Sequence, residues 1–188
     1  MILYICAQSL FKYLPQYDEV FPRIAQKTGN CQFVFMANNI SKPDIAIFRN
    51  RLTDAFNTYN MCSDDYIFFM DDTYYANLLE QGDVFLDSIG WSGCTSTMEA
   101  VTFDLPVVTL PNNLMRGRQT MAILKMIGLN ETIADSLDNY VDIAVRLGTD
   151  KQLRERIRKQ VSSNKHKLYK DRECIDFLES FLKNVVEA

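Results

Sequence analysis

The feature that most constrains this chain is an alternation of two hydrophobic periods that runs from its first residues to about residue 148. Short, nearly continuous apolar runs occupy Ile2–Cys6, Cys31–Ala37, Asp65–Met70, Val84–Asp87 and Pro106–Leu110. Runs of this kind fit strands buried on both faces, as in a parallel sheet. Between them lie stretches with apolar residues at helical spacing: Tyr17–Lys27, the segment from Pro43 to Phe56, Tyr74–Glu80, Thr95–Phe103 and Arg116–Ile127. Pro43 suits a first helical turn, and Gly128 suits a helix end. Strand and helix in turn imply right-handed crossovers and a sheet covered by helices on both sides. From Leu137 onward only helical spacing remains, over Leu137–Leu147, Lys151–Asn164 and Arg172–Val186. The reading is one α/β, Rossmann-like domain over residues 1–148, with residues 149–188 as a helical tail packed on it.

The chain has 188 residues, 47% of them hydrophobic, enough for a single core without disulfides or metal. Its 24 acidic and 20 basic residues leave a net charge of −4, which argues against a general nucleic-acid binder. A small phosphate-bearing ligand stays compatible, since backbone amides at a helix start hold anions without net positive charge. The five cysteines, Cys6, Cys31, Cys62, Cys94 and Cys174, show no metal-finger spacing and read as reduced core thiols of a cytoplasmic protein. No run reaches the roughly 20 apolar residues of a bilayer span, and the start resembles no signal peptide.

Open parallel sheets bind ligands at the carboxyl ends of their strands, where strand order reverses. In the common 3-2-1-4-5-6 order that point lies between strands one and four, so the loops Ala7–Leu14 and Ser88–Ser96 are expected to meet there. The second loop carries Gly90 and Gly93, then Cys94, Thr95, Ser96 and Thr97, and opens a helix. Thr95 or Ser96 either caps that helix or offers hydroxyl and N–H groups to a phosphate. Glu99, a turn further on, has the chemistry to accept hydrogen bonds from two ribose hydroxyls. In the first loop, Gln8 and Lys12 leave strand one, with Lys12 a candidate point charge for phosphate oxygens.

These residues resemble a known family. The segments Gln8-Ser-Leu-Phe-Lys12, Asp83-Val-Phe-Leu-Asp-Ser88, Gly93-Cys-Thr-Ser-Thr-Met-Glu99, Leu105-Pro-Val-Val-Thr-Leu-Pro111, Met115-Arg-Gly-Arg118 and Tyr140–Asp150 are similar to the protein O-GlcNAc transferases and their SPINDLY-like relatives, the family 41 glycosyltransferases. The resemblance implies the C-terminal, UDP-sugar-binding half of a GT-B fold. It implies Lys12 as the catalytic cation that neutralises the diphosphate, with Gln8 beside it. It also implies Gly93, Cys94, Thr95 and Ser96 at the diphosphate, Glu99 at the ribose, Tyr75 beside the uracil, and Arg118 as a further donor contact. Two positions depart from the family: Cys94 stands where histidine is frequent, and Asp72 lies near a position where a ribose-contacting lysine occurs.

The implied partners are UDP-GlcNAc or another UDP-hexose, an acceptor protein, and an N-terminal acceptor-binding half from outside these residues, which in the family commonly carries tetratricopeptide repeats. No cofactor beyond the donor sugar nucleotide, no nucleic acid and no membrane is expected. Metal independence is expected too, because there is no Asp-X-Asp; Asp64-Asp65 and Asp71-Asp72 read as solvated pairs flanking one strand. The single histidine, His166, sits between Lys165 and Lys167 on a basic stretch read as a solvated face rather than a base. A nicotinamide-dependent dehydrogenase is disfavoured by the missing Gly-x-Gly-x-x-Gly turn after strand one. The alternative from another class is a non-catalytic nucleotide-binding or interaction module with the same fold.

Overall fold

The computed structural model describes residues 1–37 and 41–186; the side chain of Asp72 also lies outside the described set. Five strands, β1 (Ile2–Cys6), β2 (Cys31–Met36), β3 (Ile67–Met70), β4 (Val84–Leu86) and β5 (Val107–Val108), form one sheet in the order β3-β2-β1-β4-β5. Every pairing is parallel. The order reverses between β1 and β4, where the sequence pattern predicts it. All five runs are strands, though the outer ones are shorter than their apolar runs; the fifth pairs with β4 at Val107 and Val108, and Thr109 then bridges to Ile133.

Helices cover both faces. On one side α1 (Val20–Thr28) packs with α2 (Lys42–Asn57) and α6 (Leu137–Thr149). On the other lie α3 (Tyr75–Gln81), α4 (Thr95–Thr102), α5 (Gln119–Met126) and α7 (Lys151–Asn164). Local chemistry sets the ends of several. Ser41 Oγ accepts from the Asp44 amide at the start of α2, with proline in its first turn. Gly128 follows α5 at φ +72°, the left-handed region that glycine enters at low cost. One expected helix starts later than its sequence suggests: Arg116 lies in a 3-10 turn, Met115–Gly117, and α5 begins only at Gln119.

Aromatic side chains fill the sheet face under α1, α2 and α6. Phe21, Phe33, Phe35, Phe48, Phe69 and Tyr13 make an aromatic cluster under α1 and α2, with most ring centroids 5–6 Å apart in edge or tilted contacts. Deeper in, Tyr4 stacks on Phe33, and its hydroxyl donates to the Ala144 carbonyl of α6.

Three expectations are corrected here. Only Cys6 and Cys31 are core thiols; Cys62, Cys94 and Cys174 are exposed. The basic stretch of the tail is not solvated throughout. Arg154 is buried, pairs with Asp83 at 3.3 Å and donates to the Leu147 carbonyl at 2.7 Å, so it joins α7 to the foot of β4. Finally, the tail does not behave as one unit. Helix α7 buries Arg154, Ile157 and Val161, whereas α8 (Glu173–Val186) buries none of its residues and exposes Phe177, Leu178, Phe181 and Leu182. Among the described residues no helix is long and apolar enough to cross a membrane.

Candidate active site at the β1–β4 crevice

The loop after β1 is seated from below. Tyr13 sits edge-on to Phe35 in the aromatic cluster, its carbonyl accepts from Arg51, and Arg51 pairs through two nitrogens with Asp18. Burial, with the neighbouring Cys6 thiol, pushes the Tyr13 phenol well above its usual range, so it stays neutral and donates to Gln8 Oε1 at 2.7 Å. Above this base a short 3-10 turn, Leu10–Lys12, buries Leu10 and carries Phe11 and Lys12 toward the crevice.

The loop after β4 is held by polar side chains. Asp87 Oδ1 accepts from the Gly93 amide at 2.7 Å, and Oδ2 accepts from the Thr109 hydroxyl at 2.6 Å. Ser92 Oγ accepts from the Gln119 amide and donates to the Arg116 carbonyl, tying the loop to the start of α5. Thr120 donates to the Gly93 carbonyl and shares a hydrogen bond with the buried Thr97. Gly93 leaves no space for a side chain: a Cβ there would lie 2.7 Å from Ser96 Oγ and 2.8 Å from Thr97 Oγ1.

The two loops meet. Gln8 Nε2 reaches Asp87 Oδ1 at 3.4 Å. Phe11 abuts the Trp91 ring edge-to-face at 5.5 Å, and the Lys12 ammonium lies 5.9 Å from the centre of that ring. The Arg116 guanidinium lies 5.1 Å from the same centre. Cations from two different segments thus gather at one indole, beside the start of α4.

The expected site residues divide into three groups. Lys12, Gly93, Cys94, Thr95 and Ser96 lie on the two facing loops, with Cys94 and Thr95 exposed at the helix start. Tyr75 and Glu99 form a second pair, since the tyrosine hydroxyl donates to Glu99 Oε2 at 2.9 Å. Gln8 and Arg118 stand outside these two groups. Gln8 is 2% exposed and faces inward, bonded to Tyr13 and Asp87, and so braces the first loop against the second. Arg118 is exposed at the N-cap of α5, one residue before the amide held by Ser92.

Capping also departs from the sequence reading. Neither Thr95 nor Ser96 caps α4. Cys94 occupies the N-cap and makes no side-chain cap hydrogen bond, so the first-turn amides are not covered by the side chain that usually covers them. Asp71 accepts from the Thr73 amide on the exposed turn after β3, while the side chain of Asp72 lies outside the described residues. His166 is exposed on a 3-10 turn, and among the described residues no three His, Cys, Asp or Glu side chains gather as a metal site.

Sequence reasoning missed Asp87, Trp91, Ser92 and Arg51. Asp87 carried a readable signal, an acid ending a wholly apolar run at the carboxyl end of a central strand.

A five-stranded parallel sheet with this order and a polar crevice at the β1–β4 reversal defines a Rossmann-like fold. Over 90% of its length the chain superimposes on an O-GlcNAc transferase of Thermobaculum terrenum, with a TM-score of 0.78, 23% identity and 32% of that chain covered. It also resembles, over its full length, a protein of Anabaena solved with UDP and glucose, with a TM-score of 0.65, 11% identity and 48% of that chain covered. Among curated sequences it is 31% identical over 68 residues to a probable UDP-N-acetylglucosamine–peptide N-acetylglucosaminyltransferase, SPINDLY, of Petunia hybrida, a stretch covering 36% of this chain and 7% of that one. The profile of Glycosyl transferase family 41 matches residues 79–174, just over half the chain. The chain belongs to glycosyltransferase family 41. It spans less than a tenth of the length of the curated relatives it matches.

Proposed function

We propose that the chain binds the diphosphate of a UDP-sugar in the β1–β4 crevice, as the donor-binding half of an enzyme that transfers GlcNAc or another hexose to protein side chains. The observation that carries this reading is the convergence of Lys12, from the first loop, on Trp91 of the second, beside the uncapped start of α4. A helix start and an ammonium on one crevice match a diphosphate: amides supply directed donors and the lysine a mobile charge. The Anabaena protein of like fold was solved with UDP, and the Petunia relative is named for transfer to peptide. Both support the same assignment.

During transfer, negative charge grows on the leaving diphosphate. Fixed donors aimed at that charge lower the barrier by several kcal/mol, on the order of 3 for one well-placed group. Lys12, the α4 amides and Arg116 fill this role, and the reaction is drawn without a metal. The Glu99 carboxylate takes the ribose hydroxyls, with Tyr75 holding it from the neighbouring helix. The acceptor-binding half comes from outside these residues, so the chain alone binds donor and transfers little.

The test is thermal and calorimetric titration with UDP. A ligand present at a hundredfold excess over Kd adds about 2.7 kcal/mol to the stability of the state that binds it. Lys12→Ala and Thr95→Ala are expected to remove most of the shift. The proposal fails if UDP, UDP-GlcNAc and UDP-glucose all leave the melting curve where it was.

A further inference from the structure

The crevice has a polar centre behind the groups that would face a ligand. Asp87 directly follows β4 and is 2% exposed. Four segments aim donors at it. Gly93 N–H reaches Oδ1 at 2.7 Å and Gln8 Nε2 reaches the same oxygen at 3.4 Å. Thr109 Oγ1 reaches Oδ2 at 2.6 Å, and Tyr140 Oη donates to the Asp87 carbonyl at 2.9 Å. These donors come from the first loop, the second loop, the end of β5 and α6.

A carboxylate so deep is costly, and an apolar residue of similar size would spare that cost only by leaving the Gly93 amide and the Gln8 and Thr109 side chains without an acceptor. What the acid secures is an arrangement. Gly93 lies two residues before α4, and its carbonyl is fixed in turn by Thr120. The position of the Gly93 amide therefore sets where the first-turn amides of α4 begin.

We propose that Asp87 is the positioning residue of this crevice: it holds the Gly93 turn, and with it the start of α4, against the Gln8 side chain of the opposite loop, without touching the ligand itself. The inference rests on the donor-binding reading above, but its mechanical content does not require a ligand. The titratable groups facing Asp87 are Tyr13, Tyr140 and Lys12, and the Cys6 thiol faces the two phenols. Burial pushes the thiol and both phenols far above neutrality, so Lys12 is the charged group that faces it.

The experiment compares amide hydrogen exchange in the ligand-free protein at Gly93 and Met98, whose amides are held by Asp87 Oδ1 and by the Cys94 carbonyl, with exchange at Phe33, whose amide is fixed in the sheet by the Tyr66 carbonyl. Wild type, Asp87→Ala and Asp87→Asn are measured, and UDP affinity is titrated in parallel. Asp87→Ala is expected to lose protection about tenfold or more at the crevice amides and less than about threefold at Phe33, with UDP affinity falling about tenfold. Asp87→Asn presents an oxygen to Gly93 and an amide to the Thr109 hydroxyl, and it restores most of both losses. A uniform loss at crevice and sheet, or unchanged protection at Gly93, overturns the proposal. If Asp87→Ala does not fold, Gln8→Leu and Thr109→Val each remove one partner of the carboxylate, and the same local-versus-sheet contrast decides. If wild type does not bind UDP, the functional reading falls while the exchange comparison still settles the role of Asp87.

Discussion

The two loops of the crevice are held by opposite means. The loop after β1 rests on an apolar and aromatic base, Leu10 and Tyr13 over Phe35 and Phe48, and lifts a long charged side chain on top. The loop after β4 rests on a buried polar network through Asp87, Ser92 and Thr120, and offers main chain at a helix start. The difference follows from what each presents. A lysine ammonium on four rotatable carbons finds its anion despite small displacements of the loop. Backbone amides have no such reach, so their position must be set by directional bonds. The first loop is therefore expected to tolerate change at its surface and the second to be sensitive throughout.

The largest expected effect lies at the polar anchor. Burial raises the Asp87 carboxyl from its ordinary 3.8 to about 6, opposed by the Gly93 amide, the Thr109 and Thr120 hydroxyls and the more distant Lys12 charge. Because the folded value exceeds the unfolded one, the folded state holds the proton more tightly. This contribution is fully present below pH 3.8 and is lost as pH rises to about 6. It amounts to about 3 kcal/mol across that window. Urea titrations from pH 4 to pH 7.5 on wild type and Asp87→Asn read it as a difference of slopes. Equal slopes would remove the ionised acid from the account of the second loop.

Next in size is Gly93→Ala. The new methyl meets Ser96 Oγ and the buried Thr97 Oγ1 below 3 Å, and overpacking of that kind costs about 1–3 kcal/mol. Ser9→Ala, at an exposed position of the first loop, is expected to stay within about 0.5 kcal/mol of wild type. Matching losses from the two substitutions, measured by denaturant midpoint, would erase the contrast between the loops.

The smallest effect concerns the residue where the loops touch. Trp91→Ala removes the ring beside which Lys12 and Arg116 lie, a loss of about 0.5–1 kcal/mol, or a few-fold in UDP affinity. A decrease beyond tenfold in calorimetry would mean that the indole contacts the ligand itself.

Legibility in the sequence followed the same division. Every strand and helix was present in the apolar spacing, and the reversal between β1 and β4 followed from the usual winding of such sheets. Lys12 and the Gly93–Ser96 segment were readable as candidates because they lie in the loops that follow β1 and β4. Gln8 was not. Nothing in its neighbourhood distinguishes a glutamine that faces a ligand from one that turns inward to Tyr13 and Asp87. Arg154 was misread for a similar reason, since its partner Asp83 lies on the far side of α4 and β5 in the chain order. The unpacked state of α8 was equally invisible, because an amphipathic stripe records that a helix has an apolar face and not what covers it.

The sequence by itself determined the elements, their order and the two ends where a ligand would be sought. Each of those depends on spacing within a dozen or so neighbouring residues, over which backbone geometry repeats. Tertiary structure alone decided which polar groups meet: Gln8 with Asp87, 79 positions apart, and Tyr140 with the Asp87 carbonyl, 53 positions away. Hydrogen bonds act over about 3 Å and only along fixed directions, so their partners are chosen after the sheet has brought distant segments side by side.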